Sequence, residues 1–190
     1  MIKNNASNVS AGKPKVGGAI FAAPVGTPLP TSTTDELDAA FKNLGFASDA
    51  GVTNSTNLET EEIKAWGGQT VLVIQKSKDD KYKFKLLEIK NVDVCKFVYG
   101  DDNVSGDLES GIVIKCNNKD VPKQSIVIDM ILSEDTAKRV VIPSCKISEV
   151  ADIEYTDEDA TGYETTVSCT PDSEGNTHYE YIKKASTPSG

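Results

Sequence analysis

The sequence predicts a mainly β (α+β) domain, a β-sandwich or barrel that carries a flanking α-helix. Three observations predict it. Short apolar or alternating runs of strand length recur between residues 52 and 182. Clusters of glycine, proline, asparagine and aspartate separate them as turns. One stretch, 33–44, combines a cap with helical periodicity.

The elements follow in order. MIKNNASNVSAGKPKVGG is polar and glycine-rich and lacks the apolar centre of a secretory signal, so 1–22 reads as a flexible N-terminal arm. Pro24, Pro28 and Pro30 then hold the chain extended and remove three backbone donors, which excludes a helix and disfavours a central strand. A segment that cannot bury itself locally needs something to lie on, and this points to assembly. At 33–44, Thr33 and Glu36 form a capping box. Leu37, Ala40, Phe41 and Leu44 make one apolar stripe, and Gly45 ends the predicted helix. Ser48, Asp49, Ala50 and Gly51 form a turn that launches a strand at Val52.

The polar stretch 51–67 reads as a strand running into a long loop, with Trp66 anchoring its far end. Gly67 and Gly68 break the chain before Val71-Leu72-Val73-Ile74, read as a buried strand. Lys78-Asp79-Asp80 is the expected turn into Tyr82-Lys83-Phe84-Lys85-Leu86, whose strict alternation gives one apolar and one basic face. Over 91–99 the β-branched content favours strand, but an Asn91 cap, apolar Val94, Phe97 and Val98 and a terminal Gly100 favour a short helix, the reading adopted. Further strands are expected at 111–115, 125–132, 137–142, 146–155, 163–170 and 177–182. Residues 133–135 and 171–176 are the expected hairpin turns between them. A single domain over 23–184 and a loose tail over 185–190 complete the plan.

Composition narrows the function. The chain has 190 residues, enough for one domain with a core, and no apolar run long enough to span a membrane. Net charge is −9, so the protein is not built to clamp phosphates. Cys95, Cys116, Cys145 and Cys169 lack paired spacing and read as reduced thiols rather than as a disulfide frame or a zinc site. Asp101 to Gly106 matches the first half of a calcium loop, but Ile112 stands where the bidentate carboxylate belongs, so a polar interstrand loop is the better reading. Asp157, Glu158 and Asp159 read as a solvated turn, and His178 as a structural or exposed histidine. Gly17-Gly18 lacks the residues of a phosphate cradle. No catalytic, metal or cofactor constellation emerges.

Three spans carry a resemblance: APVGTPLPTSTTDELDAAFKNLGFASDAGV at 23–52, the run from Glu88 through Val98-Tyr99-Gly100, and RVVIPSCKI followed by YTDEDATGY. Together they resemble the major tail tube proteins of long, non-contractile-tailed bacteriophages over about 16–184. The four cysteines depart from that pattern. The resemblance implies a β-sandwich with a flanking helix, related to the tubes of contractile tails and of type VI secretion systems. It implies hexameric rings stacked into a tube that conducts DNA, with no enzyme activity and no cofactor. Partners would be the chain itself and the tape measure, tail terminator and tail-tip proteins, with the virion tail as location and the host bacterial cytoplasm as place of assembly. On this reading Asn54, Asn57 and Glu59 face the lumen, the loop with Glu61, Glu62 and Trp66 bridges rings, and Pro24, Pro28 and Pro30 form an inter-subunit arm. The alternatives are another ring-forming tail component, such as a terminator or tail-end protein, and an immunoglobulin-like binding module.

Overall fold

The computed structural model describes residues 4–133 and 135–184. It is mainly β, and every strand pairing is antiparallel. Five strands precede the helix: β1 (Lys13–Pro14), β2 (Ile20–Pro24), β3 (Lys42–Asn43), β4 (Ala47–Lys64) and β5 (Thr70–Leu86). Helix α1 (Val92–Tyr99) follows, then a small pair, β6 (Val104–Ser105) and β7 (Val113–Ile114). The chain closes with β8 (Gln124–Ile131), β9 (Thr136–Val150), β10 (Tyr163–Cys169) and β11 (Tyr179–Lys184). The main sheet runs β3-β2-β8-β9-β10-β5-β4, with β1 on β8 and β11 on β9.

This sheet folds over on itself. Ile20 and Ala22 of β2 share one buried cluster with Tyr82, Phe84 and Leu86 of β5, although three strands lie between β2 and β5 in the sheet. Helix α1 closes the cluster with Val94, Phe97 and Val98, and the rings of Phe84 and Phe97 lie 6.2 Å apart. The alternation read at Tyr82, Phe84 and Leu86 is therefore the core face, while Lys83 reaches outward to Glu164 at 2.5 Å. The helix read at 91–99 is present, with the Asn91 side chain accepting from the Asp93 amide and Gly100 as its end.

The helix predicted at 33–44 is not formed; bends and a turn lie between 32 and 40, and Lys42 and Asn43 form β3. The cause lies a hundred residues away. Arg139 Nη1 donates to the carbonyls of Ser32, at 2.9 Å, and Asp35, at 2.8 Å. An i→i+4 helix would need the Asp35 carbonyl for its own amide ladder. Asp35 is drawn backward instead of capping forward, accepting from the Thr31 amide at 2.7 Å and the Ser32 hydroxyl at 2.5 Å. The apolar stripe still buries, but as a strap. Leu37, Ala40 and Phe41 cover Val127 and Val141 on the outer face of β8 and β9, and Leu44 turns into the main core. Both faces of β8 and β9 are thus covered, which accounts for the near-continuous apolar run SIVIDMI.

Gly45, expected as a helix stop, adopts φ +71° in a tight crossing instead. A Cβ there would lie 2.0 Å from the carboxyl carbon of Glu88, which holds the Phe46 amide at 3.0 Å.

Other expectations change as well. The boundary placed after residue 22 falls inside β2, a core strand, and Pro24 pairs with Gln124 at its end. The strands expected at 137–142 and 146–155 are one strand, β9, carried through Pro143 by an irregularity in its pairing with β8. The turn at 171–176 does not join a hairpin. Strands β10 and β11 both run antiparallel to β9 along the same edge, so 170–178 is an excursion between two pieces of one line. Of the turn expected at 133–135, Glu134 lies outside the described residues, as does the tail 185–190.

Candidate functional site

The largest feature left unburied is a two-stranded ribbon. Strands β4 and β5 pair from Val52↔Phe84 out to Lys64↔Thr70. Near the body β5 is flanked on its other side by β10, through Ser168↔Lys81. Beyond Lys81 the only partner of β5 among the described residues is β4. The nine residue pairs past that point carry the tip about 25 Å away from the sheet. The end is a tight turn in which the Ala65 amide donates to the Gln69 carbonyl at 2.8 Å, with Gly67 and Gly68 at positive φ.

This ribbon corrects three expectations. The long loop after 51 is strand up to Lys64, so Glu61 and Glu62 lie on β4. Lys78-Asp79-Asp80 is not a turn but the middle of β5. Val71, Leu72, Val73 and Ile74 are exposed rather than buried, and Trp66 stands fully in solvent at the tip instead of anchoring anything.

Asp80 explains why no turn forms at 78–80. Its carboxylate is buried where the ribbon leaves the body. It accepts from Thr56 of β4 at 2.5 Å and from Thr177 of the 170–178 excursion, and Lys78 Nζ lies 3.1 Å away. His178 sits beside it at 3.9 Å, its ring edge-on to Tyr82. Burial alone would raise the Asp80 pKa, but the hydrogen bonds from Thr177 and Thr56 and the Lys78 charge outweigh it and hold it at about 2. Asp35 in the strap is likewise held at about 2, chiefly by the Ser32 hydroxyl and the Thr31 amide.

A pH dependence follows. The folded pKa of Asp80 lies below its ordinary value of 3.8, so its contribution is complete above about 4 and is lost as pH falls toward 2. Unfolding titrations should show up to about 2 kcal/mol of stability lost across that window, and Asp80→Asn should flatten the curve there. An unchanged slope in the variant would remove Asp80 as the cause.

Alternation sorts the ribbon's residues. Asn57 and Glu59 share a face with Thr53 and Ser55, whereas Asn54 lies on the opposite face with Tyr82, Thr56 and Asp80. Three cross-strand pairings brace the outer half: Ser77 to Glu59 at 3.2 Å, Lys76 to Glu61 at 2.6 Å and Thr70 to Glu62 at 3.1 Å. Of the three prolines, Pro24 and Pro28 are exposed and Pro30 is buried. The segment after Pro28 packs on its own sheet through Leu29 and the strap.

The apolar tip is the feature that asks for a partner. Leu58, Ile63, Trp66, Val71, Leu72 and Val73 are each more than 40 % exposed. They occupy both faces of the ribbon, since Leu72 pairs with Ile63 while Val73 pairs with Glu62. An isolated two-stranded hairpin is marginal in water, and a contiguous apolar patch on a monomer marks an interaction surface.

Among the described residues no catalytic group of side chains comes together. A cleft of about 320 Å³ between α1 and β2 has an apolar floor of Ala22, Leu44 and Phe97, with Lys42, Lys96 and Lys123 among its other lining residues. No histidine, serine or cysteine lines it. Among the described residues no group of three or more His, Cys, Asp or Glu could hold a metal ion, and no helix is long and apolar enough to cross a membrane. Asn103, in the region read against a calcium loop, uses its side chain on the Tyr99 carbonyl and on Asn117.

Sequence reasoning missed two buried charge sites, Asp80 with its threonines and the Arg139–Asp129 pair. A signal existed for the second: one acid in SIVIDMI and one arginine in KRVVI, each inside an apolar strand of a hairpin.

No curated protein matches the chain. The family model for phage tail tube proteins matches residues 1–190, and the chain belongs to that family of structural virion tail proteins, which are not enzymes.

Proposed function

We propose that this chain polymerises through its β4–β5 ribbon, as stacked hexameric rings, into a tail tube that conducts DNA into the host. The observation that carries this reading is the ribbon itself: about 25 Å of paired strand that leaves both faces of an apolar tip uncovered. A structure of this kind is stabilised by lying on a second copy. The outer edge of β4 adds to the case, since among the described residues β4 pairs only with β5. A free edge of 18 residues invites strand pairing with a neighbour, and closing a ring removes that edge. Contacts that repeat head to tail between rings then extend into an open filament.

Within this reading Glu61, Glu62 and Trp66 lie in the inter-ring contact, and the exposed Pro24 and Pro28 remain available to a neighbouring subunit. Asn57 and Glu59, which share a face, line the lumen; Asn54, on the opposite face, turns toward the body. The tape measure, terminator and tail-tip proteins would meet the tube at its interior and ends, with assembly in the host bacterial cytoplasm. A lumen lined by carboxylates and amides repels phosphates and lets DNA slide. Replacing Asn57 and Glu59 together with lysine should slow DNA ejection from assembled virions several-fold; unchanged ejection would sink the charge argument.

The direct test is negative-stain electron microscopy of the concentrated, purified chain. Hollow tubes of uniform width support the proposal. Isolated rings would assign a terminator or tail-end role instead. Strict monomers at high concentration, in the presence of pre-formed tail tips as initiator, would overturn it.

A further inference from the structure

The joint between the two halves of the sheet carries a pair of cysteines. Cys145 of β9 and Cys169 of β10 are direct cross-strand partners. The Thr170 amide donates to the Ser144 carbonyl at 2.7 Å, so the next pair along is the hydrogen-bonded one. Cys145 and Cys169 therefore occupy a non-hydrogen-bonded site, where opposed Cα atoms approach to about 4.5 Å. A disulfide bridges Cα atoms roughly 4.4–6.8 Å apart. Both side chains point the same way: Cys145 belongs to the main core and Cys169 packs against it. Both are free thiols in this structure.

We propose that Cys145 and Cys169 are a convertible thiol pair, which a low-molecular-weight disulfide oxidises to a cross-strand bond that locks β9 to β10. The half-buried Cys169 reacts first. Its thiolate attacks a sulfur of the reagent, forming a mixed disulfide and releasing one reagent thiol. Cys145 then gives up its hydrogen bond to the Gln124 carbonyl, now 3.3 Å long, and its thiolate attacks the Cys169 sulfur. The second reagent thiol leaves. The protein loses two electrons and two protons, and the reagent disulfide is reduced to two thiols.

The position gives the bond a use. In the sheet, β10 is the strand that joins the ribbon-bearing β5 and β4 to β9 and the rest of the body. A register shift between Thr166 and Val167 lies two residues from Cys169 and weakens the same joint. A cross-link there makes body and ribbon one rigid unit. Burial pushes both thiols up, Cys169 to about 12 with help from the Asp80 charge, so the reduced pair persists and converts slowly at neutral pH. The Cα separation sits at the short end of the disulfide range, so the bond reverses readily with a reducing thiol.

The test uses the full wild-type chain, incubated with oxidised glutathione well below its melting temperature. Non-reducing peptide mapping by mass spectrometry should find 145 linked to 169, a mass lower by two hydrogens, and Cys95 still free. Tm should rise by roughly 5–10 °C and return on treatment with dithiothreitol. Cys169→Ser should abolish both changes, and Cys116→Ser, at an exposed position, should leave them intact. A folded, exhaustively oxidised chain in which Cys145 stays free, or a 145–169 link that forms only in denaturant, would overturn the proposal.

Discussion

Replacing Arg139 with methionine should cost this protein about 3–5 kcal/mol of folding stability, lowering Tm by roughly 10 °C or more. Arg139 and Asp129 are cross-strand partners on β9 and β8, 2 % and 4 % exposed. The guanidinium grips the carboxylate with two hydrogen bonds, Nε at 2.6 Å and Nη2 at 2.8 Å. Its remaining nitrogen holds the Ser32 and Asp35 carbonyls of the strap. Methionine fills similar volume but abandons a buried carboxylate and two carbonyls at once. Lys15, 3.4 Å from Asp129 and half-exposed, offsets little of that loss.

Two further outcomes separate the parts. Adding Asp129→Leu to Arg139→Met removes the stranded charge and should restore most of the global stability, because a well-packed apolar pair can replace a buried ion pair. The strap carbonyls remain unpaired in the double variant, so hydrogen exchange over 31–41 should stay fast. Chemical denaturation measures the first effect and exchange mass spectrometry the second. A single variant within about 1 kcal/mol of the parent would mean that the strap is held by Leu37, Ala40 and Phe41 alone.

Removing 61–74 and closing Thr60 to Gln75 with an Asn-Gly turn should abolish tube formation while leaving a folded monomer. The excised residues lie outside both buried clusters, so the loss in monomer stability should stay within about 1 kcal/mol. Assembly loses far more. Burying a large apolar side chain is worth about 1.5–3 kcal/mol from full exposure. The tip side chains are roughly half-exposed and Trp66 wholly so, which makes the ribbon's gross contribution about 7–10 kcal/mol per copy. Association costs about 4–15 kcal/mol in lost rigid-body freedom and ordered side chains. One contact is therefore marginal, and only the repeated contacts of a closed, stacked ring would hold. Sedimentation with electron microscopy reads the result. Tubes formed by the truncated chain would place the assembly contact elsewhere, and Trp66→Ala should give an intermediate loss at unchanged fold.

How much of this was legible in the sequence varies with how local the deciding interaction is. The strand 82–86 was readable because its alternation matches the pleat and one face is core. Helix α1 was readable because Asn91 and Gly100 cap it with their own atoms. The ribbon's turn was marked by Gly67 and Gly68, but its length was hidden. Charged and polar residues at 75–80 look like a turn until cross-strand partners such as Thr56 and Glu61 are known. The apolar run 71–74 looks buried because sequence shows hydrophobicity and not whether one chain or several will cover it.

By itself the sequence determined the fold class, the apolar faces of β5 and α1, and the family to which the chain belongs. Only the tertiary structure decided that 33–44 would be a strap and 78–80 a strand. It also decided that Cys145 would face Cys169. The physical reason is where the partners of polar groups come from. Ser32 and Asp35 give their carbonyls to an arginine more than 100 residues away, and Asp80 takes its hydroxyl from Thr177, 97 residues on. Local propensity sets what a segment prefers when its hydrogen bonds must be satisfied nearby. Once a distant strand delivers a stronger donor, that preference yields, and the apolar stripe that would have made a helix serves as the cover of a sheet.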